Sequence, residues 1–231
     1  MKTVRVIDFE TTGIEPPAQV CEVGICDVEI DEGAKPKITR APVSWLCGVD
    51  SMPPEVRAIH HISLRECEGL QPFEESDLYA DAAIIAAHNA AFECKFIRPT
   101  LPVLCTYKAA LRTWPDAPSH SNGALRYWLE DQGKIAPNHQ LTQPAHRAGP
   151  DAYTTAHILL ALMDAGNTCR DMVAWTKEPP LMPTCPIGKF RGMPWSEVDA
   201  GFLGWMLRQP TMESDLKWNA EREIARRSSG G

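Results

Sequence analysis

The sequence TVRVIDFETTG at residues 3–13 joins an apolar run to two carboxylates and a polar turn. Its β-branched and aromatic residues favour a strand. Because side chains alternate along a strand, Asp8 and Glu10 point to one face and Phe9 points to the other. Two carboxylates on one face repel each other unless a cation lies between them, and oxygen ligands suit Mg²⁺ or Mn²⁺. The alternative is a polar strand end whose acidic groups meet only water.

The rest of the chain alternates between strand and helix patterns. Further strands are predicted at 20–30, near 38–47, at 82–89 and at 102–107. Helices are predicted at 53–60, 72–82, 90–97, 108–114, 121–133 and 151–166 and in the charged C-terminal end. Asn89 is placed to cap the helix at 90–97, and Gly166 is a natural end for the helix at 151–166. Strands that come first and then alternate with helices indicate an α/β layer fold.

The predicted domain organisation has three parts. A main domain covers 1–166, a proline-containing linker covers 167–183, and a small C-terminal unit covers 184–231. A unit of that size seldom has a core of its own, so we expect it to dock on the main domain.

Composition narrows the class of protein. The chain has 231 residues, of which 44% are hydrophobic and 23% charged, and this excludes a disordered chain, a collagen and a coiled coil. No apolar run reaches the roughly 18 residues of a membrane span. Asp8 stands where a signal peptide would need its apolar segment, so we expect a cytoplasmic protein with no membrane partner. The eight cysteines form no CxxC pair, which indicates free thiols and disfavours zinc.

The formal net charge is −7, and most of the acidic excess lies before residue 88. Proteins that bind nucleic acid usually carry a basic surface. An acidic excess is either solvated surface or includes carboxylates that converge on a metal.

Two later motifs add polar groups to the first. AHNAAFE at 87–93 places Glu93 after a predicted strand, and HRAGPD at 146–151 places His146 and Asp151 at the start of the longest predicted helix. Acids in a first helical turn also complement the helix dipole, and a lone histidine is usually a loop residue. Together, however, four carboxylates and one histidine can hold two metal ions and provide a general base.

The ordered motifs IDFETTG, AHNAAFE, CT and HRAGPD resemble those of the DnaQ-like 3′–5′ exonucleases of the DEDDh type. AIHHIS at 58–63, Glu22 and SNGAL at 121–125 are supporting matches. GKFRG at 188–192, followed by GW at 204–205, resembles the C-terminal tail of one family member. The resemblance implies an RNase H-like α/β fold with a mixed central sheet flanked by helices.

The resemblance also implies the residues of an active site. The implied catalytic residues are Asp8, Glu10, Glu93, His146 and Asp151. The four carboxylates would bind two divalent cations, Mg²⁺ or Mn²⁺, and His146 would be the general base. The implied contacts to the terminal nucleotide are Thr11, Thr12, Gly13, His60, Asn89 and Phe92. Turn packing for His60, a helix cap for Asn89 and core packing for Phe92 are the alternatives.

The implied function is metal-dependent removal of nucleoside 5′-monophosphates from the 3′ end of DNA, preferably single-stranded or 3′-overhanging. An exoribonuclease of the same superfamily and an impaired nucleic-acid-binding module are the alternatives. The second arises because Glu93 stands where the family has aspartate, which moves the carboxylate by one methylene group. The glutamate has three possible outcomes: the helix that carries it shifts and activity survives, the metal preference moves toward Mn²⁺, or activity falls. Lys189 and Arg191 are either phosphate contacts or solvated turn charges.

The sequence does not indicate an oligomeric state.

Overall fold

The central sheet is built around the opening strand. In residues 2–229, which the computed structural model describes, six strands form one mixed sheet. The strands are β1 (Lys2–Thr11), β2 (Val20–Ile30), β3 (Lys37–Ile38), β4 (Val43–Leu46), β5 (Ile84–Ala87) and β6 (Val103–Cys105). β1 is antiparallel to β2 and parallel to β5; β2 also pairs with β3 and β4, and β6 continues the sheet beyond β5. The predicted mixed α/β fold is confirmed.

Eight α-helices surround or follow this sheet within the described residues. They are α1 (Pro54–His60), α2 (Leu64–Cys67), α3 (Thr106–Thr113), α4 (Asn122–Asp131), α5 (Ala148–Asp164), α6 (Cys169–Thr176), α7 (Ala200–Arg208) and α8 (Ser214–Ser229). None of the helices in residues 2–229 has the length and apolar character needed to cross a membrane.

The alternation of β1 decides where the acidic groups lie. Val4 and Val6 are fully buried in the same core cluster as Ala152 and Leu159 of α5. Phe9 belongs to a second cluster on the other face of the sheet. Side chains two residues apart on a strand point to the same face, so Asp8 and Glu10 lie on the same side of the sheet as Val4 and Val6, which is the side that α5 covers.

Three predicted elements differ from the structure. The segment predicted as a helix over 72–82 forms only a 3₁₀ turn at Glu75–Leu78, and that over 90–97 forms only a 3₁₀ turn at Glu93–Lys95. Asn89 is not the N-cap of that turn, a position that Phe92 holds, and its φ of 66° is a left-handed conformation that asparagine tolerates. The third predicted strand is split around Pro42, which cannot donate to a sheet ladder.

The segment predicted as a linker contains α6. Met172 of this helix is fully buried in the main core, and the Thr176 hydroxyl accepts a hydrogen bond from the Cys105 backbone N at 2.7 Å. Part of the segment 167–183 is therefore attached to the sheet.

The C-terminal unit has a small core, contrary to the expectation from its size. α7 and α8 pack on each other around Leu203, Met206 and Leu216. Asn219 ties this unit to the preceding segment, since its side chain bonds to the backbone of Pro180 and Met182. All eight cysteines are free, as predicted.

Candidate active site

Three carboxylates meet where β1 ends and α5 begins. Asp8 and Glu10 come from β1, and Asp151 comes from the first turn of α5. Ligand oxygens of the three lie within 4.8 Å of one another. This arrangement brings together residues that are separated by about 140 positions in the chain, and it has the oxygen donors that a divalent cation prefers.

Burial and mutual repulsion favour protonation of these acids. Burial raises the pKa of Asp8 well above its ordinary value, and the charges of Asp151 and Glu93 raise it further. Burial, followed by the charge of Asp151, raises the pKa of Glu10 to about 8. Burial also raises the pKa of Asp151. A bound cation would reverse these shifts, because it favours the charged form of each carboxylate.

Glu93 approaches this cluster from β5. Glu93 is 3% exposed, and within residues 2–229 its Oε2 has no hydrogen-bond partner. Burial raises the pKa of Glu93 to about 8, and its charge acts on Asp8. Glu93 lies outside the 4.8 Å group of three. A buried carboxylate oxygen without a partner is costly, and a cation beside Asp8 would satisfy it. The donor set therefore fits divalent cations.

His146 lies on the loop that enters α5. Its side chain is exposed, and its backbone has a φ of 59°. Its backbone N donates a hydrogen bond to Oδ2 of Asp151 at 3.0 Å. Asp151 thus holds the backbone that carries the histidine at the mouth of the acidic cluster.

A partly buried ion pair fastens the same loop to the sheet. Arg147 donates to both carboxylate oxygens of Glu22, and the Ala148 backbone N donates to Glu22 Oε2 at 3.0 Å. Glu22 lies opposite Glu10 in the β1–β2 register and is 2% exposed. In the sequence, Glu22 is only a supporting match, and Arg147 is not among the predicted site residues. The signals were an acid on a buried strand and an arginine next to His146.

Gly24 lets α5 approach the sheet. A Cβ atom at this position would overlap the carbonyl group of Ala148. Gly24 lies opposite Asp8 in the register, so the close approach occurs beside the carboxylates. Asn122 of α4 adds a contact on the other side, since its Nδ2 donates to the backbone O of Asp151 at 3.2 Å and to Thr155 Oγ1 at 3.1 Å.

The turn after β1 is held by its own hydroxyl groups. Thr11 Oγ1 donates to the Gly13 carbonyl at 2.7 Å, and Thr12 Oγ1 accepts from the Gln19 backbone N at 2.9 Å. Both threonines are buried. A Cβ atom at Gly13 would lie 3.2 Å from that of Ala18, so a larger residue would crowd the turn.

The remaining substrate candidates differ in exposure. His60 is buried, its Nδ1 accepts from the Ile62 backbone N at 3.0 Å, and it bonds to the backbone of Thr11. It therefore supports the turn from beneath. Asn89 is exposed, and the half-buried Phe92 packs edge-on against Phe96.

His88 is a second residue that sequence reasoning did not assign. Its Nε2 lies 2.8 Å from the His120 carbonyl oxygen, and its Nδ1 lies 3.0 Å from Thr106 Oγ1. Burial lowers its pKa to about 4, so the ring is neutral near pH 7. His88 is thus a packing residue that anchors the turn carrying Asn89.

Comparisons with known proteins identify the family and the fold of this chain. The model of the RNase_T exonuclease family matches residues 6–159. Exodeoxyribonuclease 10 of Escherichia coli K12 is 34% identical over 225 residues, covering 93% of this chain and 95% of that protein. The structure of Exonuclease X in complex with 5′ overhanging duplex DNA is 30% identical, with a TM-score of 0.60 over 75% of this chain and 99% of that chain. E. coli Exonuclease I in complex with a dA16 oligonucleotide shares the fold, with 13% identity and a TM-score of 0.52 over 76% of this chain and 43% of that chain.

Proposed function

This chain belongs to the exonuclease family, and from that premise we propose that it removes nucleoside 5′-monophosphates from the 3′ end of DNA. The preferred substrate is single-stranded or 3′-overhanging DNA. The observation that carries the proposal is the convergence of Asp8, Glu10 and Asp151 beside His146. The names of the similar proteins, an exodeoxyribonuclease and an exonuclease in complex with DNA, support DNA as the substrate.

The acidic cluster holds the cofactor in this proposal. Asp8, Glu10 and Asp151 would hold one divalent cation, and Asp8 and Glu93 a second, with Mg²⁺ or Mn²⁺ as the metal. The bound cations supply an activated water and neutralise charge on the phosphate. In their absence the carboxylates repel phosphate, so DNA binding at the active site should depend on metal.

His146 acts as the general base in this proposal. Its exposed imidazole takes the proton from the attacking water, a role that requires the ring to lie within hydrogen-bond reach of that water. Asp151 holds the backbone of His146, and Glu22 holds the side chain of the next residue, Arg147. The water oxygen would then bond to the phosphorus of the terminal nucleotide, the bond from that phosphorus to the 3′-oxygen of the penultimate nucleotide would break, and the leaving 3′-oxygen would take a proton from solvent.

The terminal nucleotide would lie against the turn after β1. The backbone of Thr11, Thr12 and Gly13 would approach it, with His60 in support beneath. Asn89 and Phe92 would bound the nucleotide on the β5 side, where Asn89 is exposed and Phe92 half-buried.

The direct test uses a 20-nucleotide DNA strand labelled at its 5′ end. With Mg²⁺ or Mn²⁺, the labelled product should shorten progressively from the 3′ end, and EDTA should stop the reaction. Duplex DNA with a 3′ overhang and an RNA strand of the same sequence are the comparison substrates. Faster shortening of the RNA would favour an exoribonuclease. If every DNA and RNA substrate stays intact with either metal, the proposal fails.

An impaired nucleic-acid-binding module is the second candidate, because Glu93 lies outside the group of three carboxylates. Titration with Mn²⁺ separates the two proposals. An active site of the proposed kind binds two ions, whereas an impaired one binds a single ion or none.

A further inference from the structure

Three aromatic rings form a row on the surface of the C-terminal unit. The rings of Phe190 and Phe202 have centroids 4.9 Å apart, and those of Phe202 and Trp205 are stacked at 5.2 Å with an interplanar angle of 29°. Phe190 and Phe202 are partly buried against the core of the unit, but Trp205 is 42% exposed. The row therefore ends in an accessible indole face.

Positively charged side chains flank this row. Lys189 Nζ lies 4.8 Å from the centroid of the Phe190 ring. Arg208 lies three residues after Trp205 on α7, and its guanidinium passes close to Gly204. Lys189 has an ion pair with Asp199 at 3.4 Å, but both side chains are largely exposed and such a pair is weak.

The row is built into the fold. Gly188 has a φ of 62°, and a Cβ atom there would lie 2.9 Å from the Phe202 ring, so only glycine lets this turn close over the ring. The Asp199 carboxylate caps α7 by accepting from the Phe202 backbone N at 2.7 Å. These contacts fix the turn that carries Lys189 against the helix that carries Trp205.

We propose that this surface, formed by Lys189, Phe190, Phe202, Trp205 and Arg208, binds single-stranded nucleic acid. A base stacks on the exposed face of Trp205, and the adjoining phosphates contact Lys189 and Arg208. Stacking on an aromatic ring beside cations is tolerant of sequence, which suits an enzyme that degrades any strand. Lys189 beside Phe190 and Arg208 beside Gly204 favour a polyanion over an apolar protein partner. The inference rests on the proposed function and adds a second contact to the same strand.

Binding measured without divalent metal tests this surface directly. Fluorescence anisotropy of a labelled 20-nucleotide oligothymidylate, in EDTA and at low salt, gives the dissociation constant for the full chain. Trp205→Ala should weaken binding at least about fivefold, and Trp205→Phe should retain most of it. Lys189→Gln should reduce the dependence of binding on salt concentration. Trp218→Ala is the matched control, because Trp218 lies in the same unit with Arg222 against its ring.

Hydrolysis with metal present separates this inference from the proposed function. Trp205→Ala should raise KM for the 20-nucleotide strand and leave turnover of a dinucleotide unchanged. If Trp205→Ala binds as the wild type does, or Trp218→Ala weakens binding equally, the inference is overturned while 3′-end hydrolysis stands. The wild type could also bind the oligonucleotide without hydrolysing any nucleic acid, while Trp205→Ala binds it more weakly. In that case the proposed function fails and the binding surface stands.

Discussion

The guanidinium of Arg147 donates to both carboxylate oxygens of Glu22, each at 2.8 Å, although the two residues are 125 positions apart in the chain. This pair fixes the residue after His146 to the second strand of the sheet. Glu22 is almost completely buried, and its partner in the strand register is Glu10. The positive charge of Arg147 therefore offsets one acid beside the cluster of three.

Arg147→Ala should lower kcat about 10- to 100-fold, as loss of a group that supports metal ligands and their neighbours typically does. It leaves the buried Glu22 with only the Ala148 backbone N as a hydrogen-bond donor, so the protein should also lose about 1–3 kcal/mol of stability. Arg112→Ala is the control, since it removes another arginine–glutamate pair, with Glu178, away from the acidic cluster. Equal single-turnover rate constants for Arg147→Ala and the wild type would contradict a positioning role.

His146→Ala should reduce turnover at least about 100-fold, because a positioned general base contributes roughly that much. Mn²⁺ binding should be unchanged, since the carboxylates stay in place. His139→Ala is the matched control, because His139 is an exposed residue of the preceding loop. Turnover that survives His146→Ala would exclude this residue as the base.

Glu93→Gln removes a buried charge that acts on Asp8. Turnover should fall at least about 100-fold, and isothermal titration should detect one ion fewer, because the second cation loses a ligand. Glu93→Asp should keep activity within about tenfold with Mn²⁺, whose geometry is less strict than that of Mg²⁺. A Glu93→Gln enzyme with full activity would show that this carboxylate does not hold metal.

The metal-free protein should lose stability as the pH rises from 6.5 to 8. Burial raises the pKa of Glu10 and Glu93 to about 8, so in this window the folded chain holds protons that the unfolded chain has released. Because the unfolded state binds fewer protons, the free energy of unfolding falls with pH. Below about pH 6.5, His88 and His157 give the opposite slope, because desolvation lowers the pKa of each to about 4.

Thermal unfolding in EDTA and in Mn²⁺ at pH 6.5, 7.2 and 8 measures this effect. The cation should raise Tm more at pH 8 than at pH 6.5, since it replaces the missing protons. Glu93→Gln should flatten the slope in EDTA. A Tm in EDTA that is constant or rises over the window would show that these carboxylates are ionised in the folded state.

Gly24→Ala should destabilise the protein by about 1–3 kcal/mol, because its Cβ atom would overlap the Ala148 carbonyl and push α5 away from the sheet. Activity should fall as well, since Asp151 lies in the first turn of that helix. Gly123→Ala is the control, because it lies in α4 with open space around its Cβ position and should be neutral or stabilising. Urea unfolding of both variants makes the comparison, and equal midpoints would mean that the helix does not approach as closely as described.

Local patterns predicted much of the sheet and most of the helices. The alternation of β1 placed Asp8 and Glu10 on one face, and the long apolar helix α5 was found near its observed position. The helices predicted over 72–82 and 90–97 were wrong, because a helical pattern over so few residues does not outweigh the turn that tertiary packing imposes. α6 was missed because the prolines that follow it dominate the composition of that segment.

By itself, the sequence determined the mixed α/β class, the acidic character of the strand end and the identity of the candidate catalytic residues. The α/β class and the acidic strand end follow from side-chain alternation and from the order of strands and helices, whereas the mixed sheet and the candidate catalytic residues are implied by the resemblance of the ordered motifs to a known family. Only the tertiary structure decided that Asp151 meets Asp8 and Glu10 and that Glu22 pairs with Arg147. It also decided that Glu93 is buried with an oxygen that has no hydrogen-bond partner in the described part of the chain. Such contacts join residues far apart in the chain, so they depend on how α5 and the sheet pack and not on any local pattern.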